Sequence, residues 1–451
     1  MSGAALGIDL GLTGARAALV AADGRIVARS RTLGLPTEDP RGWYQQLRQA
    51  VAEVRDQAPD APTAVVTVAG AGCRPVLVDE QLQPLLPARL AAHDDRTAAQ
   101  RVQLAQMLGV PAGELADHAA PTLLWWREHE PDAFRSAALA VDTTGLLVGR
   151  LTGEPTIDRI TAADYLLPGG EQIVPIPEPR EPDAIAGELT AQASVELGLE
   201  PGIPVTVGTY DSYVDIDALG GRSSEGRLLL GTTMVLATET DLEPGAAGDL
   251  RVVEVVRGRL LGGWTSAAGA SIDWARDRFG SGDVSALAPG SGGLLALPYL
   301  AGERTPIWDA EARGAIVGIT AATTSAELER AILDGVALSG RDIAERLREA
   351  GHDPGRWRAG GGGIHHSAWL QAASDALRAP IDAHDITGGV AAAVFGLRSL
   401  GADPAVPVVR TVEPDPARAD RYDHLYQLYR QLNPQLVETM HALGRLDRGH
   451  Q

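Results

Sequence analysis

Gly7-Ile8-Asp9-Leu10-Gly11-Leu12-Thr13-Gly14-Ala15-Arg16 is the stretch on which the reading of this chain turns. Ala5 to Leu10 is an apolar run, Ala15 to Ala22 a second, and Arg25 to Ser30 a third, with Asp23-Gly24 predicted as a hairpin turn of the I′ kind. The pattern predicts a three-stranded meander whose first bend is made of glycine and threonine. A carboxylate at the end of a buried strand, followed by glycines, can hold a hydrated Mg²⁺ while the bare backbone N–H groups of the bend approach a phosphate. An ordinary hairpin with a glycine turn fits the same residues, so the remainder of the chain decides between them.

With 451 residues, 45% apolar and 22% charged, the chain is expected to form two or three domains, each with its own core. No apolar run reaches the length of a bilayer span, and no basic segment precedes an apolar leader at the N-terminus, so a cytoplasmic protein is expected. The net charge of −20 repels a nucleic-acid backbone and an anionic membrane, and neither is expected as a partner. Cys73 is the only cysteine, which excludes an internal disulfide and any metal site built on paired cysteines. The chain has no lysine, so the phosphate-binding lysine of a P-loop or a protein kinase is excluded, as is Schiff-base chemistry.

Beyond the meander, a helix is predicted from Asp39-Pro40 to about Gln57, with Trp43, Leu47, Val51 and Val54 at helical spacing. Thr63 to Ala69 reads as a buried strand, followed by the tight turn Gly70-Ala71-Gly72 and a strand from Pro75 to Val78. Strand, helix and strand in this order predict a layered α/β domain. Leu85 to Leu90 is strand-like and leads into His93-Asp94-Asp95-Arg96-Thr97, a polar cluster of the sort that holds small ligands, though Asp94 or Asp95 also fits a plain helix cap. Pro204 to Gly208 is a strand, and Thr209-Tyr210-Asp211 opens a helix at its end, which makes Asp211 a cap or a site carboxylate.

A second meander begins at Gly226: an apolar strand to Leu230, the turn Gly231-Thr232-Thr233, and a strand from Met234 to Glu239. It repeats the layout of the first, and two such turns could grip one polyphosphate. Ser325 to Glu349 reads as one long amphipathic helix. Gly360-Gly361-Gly362-Gly363 precedes a helix near Ser367, which lets backbone lie flat against a nucleotide at a helix N-terminus. Gly388-Gly389-Val390-Ala391-Ala392-Ala393 starts a helix with a small-residue face suited to close packing.

Taken together and in order, Arg150-Leu151-Thr152-Gly153, Gly302-Glu303-Arg304-Thr305-Pro306 with Arg313-Gly314, and Gly361-Gly362-Gly363 followed by Trp369 and Gln371 resemble the FGGY group of sugar kinases. That group includes xylulokinase, glycerol kinase, gluconokinase and ribulokinase. The resemblance runs from Gly7 to about Gly401. It implies an α/β protein of two RNase H-like, actin-like ATPase domains with an interdomain cleft. The division expected here is 1–220 for a sugar-binding domain and 221–451 for a nucleotide-binding domain.

The implied activity is ATP-dependent phosphorylation of a hydroxyl of a small sugar, polyol or sugar acid, with ATP and Mg²⁺ as cofactors. By position, Asp211 falls on the family's catalytic base and Asp9 on its Mg²⁺-linked acid. Gly231 and Thr232 fall on its phosphate-binding Gly-Thr and Gly361, Gly362 and Gly363 on its adenine-nucleotide loop, while Gly11, Thr13, Gly14 and Arg16 are expected to add nucleotide contacts in the absence of a lysine. Asp94 and Arg96 fall on a pair that lies beside the sugar in the family, and Cys73, Tyr210 and Asp211 are expected to line the substrate with them. The oligomeric state is left open, with a homodimer among the alternatives.

Three departures separate this chain from the family pattern: Leu12 and Gly14 stand where hydroxyl residues are usual, Ala92 stands where a tryptophan is common, and Gly70-Ala71-Gly72-Cys73-Arg74 replaces the xylulokinase loop. Xylulose is therefore not supported as the substrate, and Arg74 raises the expectation of either an anionic substrate or a surface arginine. The alternative function is that of a catalytically impaired member that binds sugar or nucleotide as a regulator.

Overall fold

The computed structural model describes residues 3–12, 14–31, 38–280 and 282–448. The chain divides into two compact units, one of residues 1–218 with 386–407 and one of residues 219–385 with 408–451.

The first unit is built on a mixed sheet. Strands β1 (Ala4–Gly11), β2 (Gly14–Ala21) and β3 (Ile26–Arg29) form the expected antiparallel meander. β4 (Thr63–Gly70) runs parallel to β1, and β5 (Ile185–Glu188) and β6 (Pro204–Thr206) complete the order β3-β2-β1-β4-β6-β5. The helix Trp43–Gln57 covers one face, where Trp43, Leu47, Val51 and Val54 share a core with Leu6, Ile8, Leu10, Val66 and Val68. Each such side chain contributes about 1.5–3 kcal/mol by leaving water.

The β2–β3 turn differs from the I′ form predicted. Gly24 N–H donates to Ala21 O at 2.9 Å, and of the turn residues only Gly24 takes a positive φ, at +90°, where I′ needs two. The expected strand at Leu85 to Leu90 is irregular chain instead, held at Ala88 by its N–H to Glu38 O at 2.7 Å.

The segment 386–407 belongs to the first unit, although the sequence division placed it in 221–451. Its helix, Gly389–Ser399, lies against β1, β2 and β4 on a face of glycine and alanine. The close approach leaves no room for side chains: a Cβ on Gly396 would stand 2.5 Å from the Thr67 hydroxyl.

The second unit repeats the plan. Strands β7 (Gly226–Leu230), β8 (Met234–Glu239), β9 (Gly245–Ala247), β10 (Leu250–Glu254), β11 (Arg259–Trp264), β12 (Trp357–Gly360), β13 (Ile381–His384) and β14 (Val408–Val412) lie in the order β9-β10-β11-β8-β7-β12-β13-β14. β11, β8 and β7 are antiparallel neighbours with β12 and β13 parallel beside them, as β3-β2-β1 has β4 and β6, but here the hairpin strands β9 and β10 intervene in the chain between β8 and β11. The helix Ser325–Glu349 spans the predicted residues and starts with a capping box between Thr324 and Glu327. Among the described residues no helix is long and apolar enough to cross a membrane.

Candidate active site

In the first unit, sheet register brings the carboxylates together. Asp9 stands opposite Arg16 on β2 and beside Ala69 on β4, and Ala69 in turn lies beside Thr209, two residues before Asp211. Asp211 begins the helix Asp211–Leu219. Both carboxylates therefore sit where parallel strands end, the usual location of a ligand site in an α/β sheet.

Asp9 is buried, and Arg16 Nη1 lies 3.5 Å from its Oδ2. Its Oδ1 is buried with no hydrogen-bond partner. Burial pushes the Asp9 carboxyl up to about 6, against the pull of Arg16. Asp211 is half-buried and accepts the Ser212 N–H on Oδ1 at 2.7 Å. Burial and then the Asp9 charge push its carboxyl up to about 7. Asp215, one helical turn on, is pushed well up by burial and then by Asp211 and Asp9.

Asp215 does not stand out in the sequence, because one more carboxylate on an acidic helix carries no pattern of its own. Gly388, expected only as part of a close-packing helix start, has a further role: a Cβ there would stand 2.8 Å from Arg16 Cδ, so the bare glycine leaves space for that arginine. Gly11 borders the Asp9–Arg16 pair, and Gly14 takes a φ of +123°. Thr13 lies outside the described residues.

Elsewhere in this unit Asp94 is fully buried, and Arg96 holds both of its oxygens, Nε to Oδ1 and Nη2 to Oδ2, each at 2.7 Å. The guanidinium lies 4.3 Å from the Trp125 ring centroid. Asp94 thus fixes the aim of an exposed arginine. Cys73 and Tyr210 are buried in one cluster with Leu77, Trp126 and Tyr165, and a Cβ on Gly72 would collide with the Tyr210 ring at 2.0 Å. Burial and then Asp164 push the Cys73 thiol up. Arg74 is not a surface group: it is buried 4.4 Å from the Trp43 ring centroid, and its Nε donates to Ala88 O at 3.2 Å.

In the second unit the turn Gly231-Thr232 is laced to the start of the helix Gly269–Phe279. Ala268 and Ala270 donate to Thr232 O at 2.8 and 3.2 Å, and Gly269 donates to Gly231 O at 3.1 Å. A Cβ on Gly269 would stand 2.6 Å from that carbonyl. This helix went unrecognised in the sequence; its signal was the small-residue run Ala267-Ala268-Gly269-Ala270 before Ile272.

Gly361 and Gly363 are glycines for packing reasons, since a Cβ on either would run into Leu230 or Trp369. Around Gly362 a Cβ would meet nothing within 4 Å, so a bare backbone faces open space there. The helix Ser367–Leu377 follows, capped by His366, whose Nδ1 accepts the Trp369 N–H at 3.1 Å while Nε2 lies 2.6 Å from Arg276 Nη2. Two glycine turns and two helix N-termini are thereby gathered in one unit, the arrangement that binds phosphates through backbone N–H groups.

A meander-plus-parallel sheet present twice, with carboxylates at strand ends in one unit and glycine turns in the other, defines a two-domain α/β fold of the actin-like ATPase class. Residues 4–167 match the N-terminal domain of the FGGY family of carbohydrate kinases, and residues 228–399 match its C-terminal domain. The chain belongs to the FGGY family of carbohydrate kinases. It is 28% identical over 418 residues to the xylulose kinase of Bacillus subtilis, with 82% of each chain covered. Identity to the gluconokinase of Bacillus subtilis is 23% over 445 residues, with 83% of each covered. In fold it is similar to the gluconate kinase of Lactobacillus acidophilus, with a TM-score of 0.83, 21% identity, and 98% and 99% of the two chains covered.

Proposed function

We propose that this kinase transfers the γ-phosphoryl group of ATP to a hydroxyl of a small sugar or sugar acid, with Asp211 as general base. The observation that carries this reading is the sheet register that brings Asp211, at the start of its helix, close to Asp9; burial and that proximity push the Asp211 carboxyl up to about 7. A sugar hydroxyl is a weak nucleophile, and a base whose pKa lies near the working pH best accepts its proton in the transition state. Ser212 N–H already donates to Oδ1, which leaves Oδ2 the less engaged oxygen for the incoming proton.

The donor set of Asp9 suits a magnesium ion. Its orphaned Oδ1 is buried beside Asp211, and among the described residues no three potential ligands gather into a metal cage. Mg²⁺ commonly takes one or two carboxylates and fills its remaining positions with water and phosphate oxygens. When bound, the ion supplies neutralisation of the charge that spreads over the transferred group. Arg16 holds Asp9 in place and adds positive potential, a task that a lysine performs in other kinases.

Nucleotide binding is assigned to the second domain, with Gly231 and Thr232 on the phosphates and Gly361, Gly362 and Gly363 under the base and sugar. Gly11, Thr13 and Gly14 of the first bend are assigned to phosphate contacts as well. The acceptor is assigned to the first domain, where Arg96 reaches it under the control of Asp94, and Cys73 and Tyr210 shape the wall behind it. The relatives named xylulose kinase and gluconokinase support a sugar or a sugar acid as the acceptor.

A coupled ADP-release assay over pentuloses, hexuloses, polyols and aldonic acids tests the reading. Turnover with one member of the panel and its loss in Asp211→Asn are expected. Measurable sugar binding without turnover across the whole panel would overturn it.

A further inference from the structure

Glu303 is nearly sealed from solvent, yet nothing above gives it a task. Its Oε1 accepts the backbone N–H groups of Ser266 and Arg304, each at 2.8 Å, and Oε2 accepts the Ser339 hydroxyl at 3.2 Å. The neighbouring Thr305 pairs with the end of β11: its N–H donates to Trp264 O at 3.1 Å, and the Trp264 N–H donates to Thr305 Oγ1 at 3.3 Å. The segment from Glu303 to Thr305 therefore grips β11 where that strand hands over to the loop 265–268.

Hydrogen bonds also tie this loop to Met234 at the start of β8 and to the glycine turn that precedes it. Thr265 exchanges two bonds with Met234, N–H to Met234 O and Oγ1 from the Met234 N–H, both at 3.0 Å. Ala268 and Gly269 then donate to Thr232 O and Gly231 O. Ser266 sits between these two sets of contacts, and Glu303 is the group that holds it.

We infer that Glu303 is a positioning residue for nucleotide binding: it fixes the loop that backs the Gly231-Thr232 turn and the N-terminus of the Gly269–Phe279 helix. The inference rests on the proposed assignment of that turn to ATP phosphates. Ser339 anchors the carboxylate from the long, largely buried Ser325–Glu349 helix, so the turn is tied to the core of its domain. A phosphate-binding turn has to present its N–H groups within a fraction of an ångström, and its supporting residues determine whether it does.

The test is a comparison of ATP and sugar parameters for Glu303→Leu, Glu303→Gln and Ser339→Ala, with folding checked by circular dichroism. Glu303→Leu leaves the Ser266 N–H without a partner, and its KM for ATP is expected to rise about tenfold or more. The KM for sugar should stay within about twofold. Glu303→Gln keeps an oxygen for both N–H groups and an amide that can donate to Ser339, so it should restore ATP binding. Ser339→Ala should raise the ATP KM in the same direction by less, and it decides the matter should Glu303→Leu fail to fold. An unchanged ATP KM in the folded variants, or an equal rise for ATP and sugar, overturns the inference while the kinase reading stands. A wild-type protein that binds no ATP removes both together.

Discussion

Gly7 of β1 and Gly389 of the last helix in the first domain interlock backbone to backbone. A Cβ on Gly7 would stand 2.0 Å from Gly389 O, and one on Gly389 would stand 2.5 Å from Gly7 O. No side chain can swing aside to relieve such a contact, because the obstacle on both sides is main chain. The pair docks the 386–407 segment against the strand that carries Asp9. Gly7→Ala is expected to cost about 3 kcal/mol or more, at the upper end of overpacking substitutions. Chemical unfolding measures this directly, and a midpoint equal to that of the wild type would show that the helix does not pack as described.

Replacing the base separates chemistry from binding. Asp211→Asn keeps the size of the side chain and an oxygen for the Ser212 N–H but cannot take a proton. The expected loss in kcat is about 10²–10⁴-fold. ATP affinity, measured by calorimetry, should hold. A variant with near-normal turnover would transfer the base role to another group, with Asp215 the first to examine.

Much of this architecture was legible because burial and periodicity agree. The helix Ser325–Glu349 carries its apolar residues at helical spacing and its own capping signal, so its ends could be read directly. The two meanders showed as apolar runs separated by glycine turns, and they carry Asp9, Arg16, Gly231 and Thr232 to their places. What was not legible depended on partners distant in sequence. β14 is exposed along four of its five residues and is a strand only because β13 offers it an edge. The helix Gly269–Phe279 buries just Ser271, Ile272 and Ala275, too weak a stripe to stand out. The membership of 386–407 in the first domain follows from glycine contacts that no local pattern encodes. Likewise the burial of Arg74 on Trp43 joins residues far apart in the chain, so it could not be told from a surface arginine.

The Asp94–Arg96 pair makes a prediction about stability. Asp94 has no solvent contact and both its oxygens depend on Arg96, whereas Arg96 keeps about a third of its side chain exposed (33%). Removing the arginine strands a buried carboxylate, which costs about 3–5 kcal/mol for fully buried pairs and less here because water reaches one partner. Arg96→Gln should therefore destabilise more than the double variant Asp94→Asn with Arg96→Gln. Urea titration of the single and double variants gives the coupling. Additive losses would mean that the pair is solvated in solution and does not aim Arg96 at a ligand.

The raised carboxyls fix the sign of a pH effect. Asp9 and Asp211 ionise near 6 and 7 in the folded protein against an ordinary 3.8, so folding takes up protons between those values. The unfolded chain binds fewer protons there, and the stability these groups contribute falls as pH rises from about 4 through about 7. The many other acidic residues add their own slopes, so the difference between wild type and Asp211→Asn isolates the site. That difference should grow in favour of the variant as pH rises, because asparagine removes one of two charges that repel. A divalent cation at the orphaned Asp9 oxygen opposes the same repulsion. Millimolar Mg²⁺ should thus raise the melting temperature of the wild type at pH 8 and do little at pH 5, where the carboxyls are protonated. Equal melting shifts at the two pH values, or an equal shift in Asp9→Asn, would place the ion elsewhere.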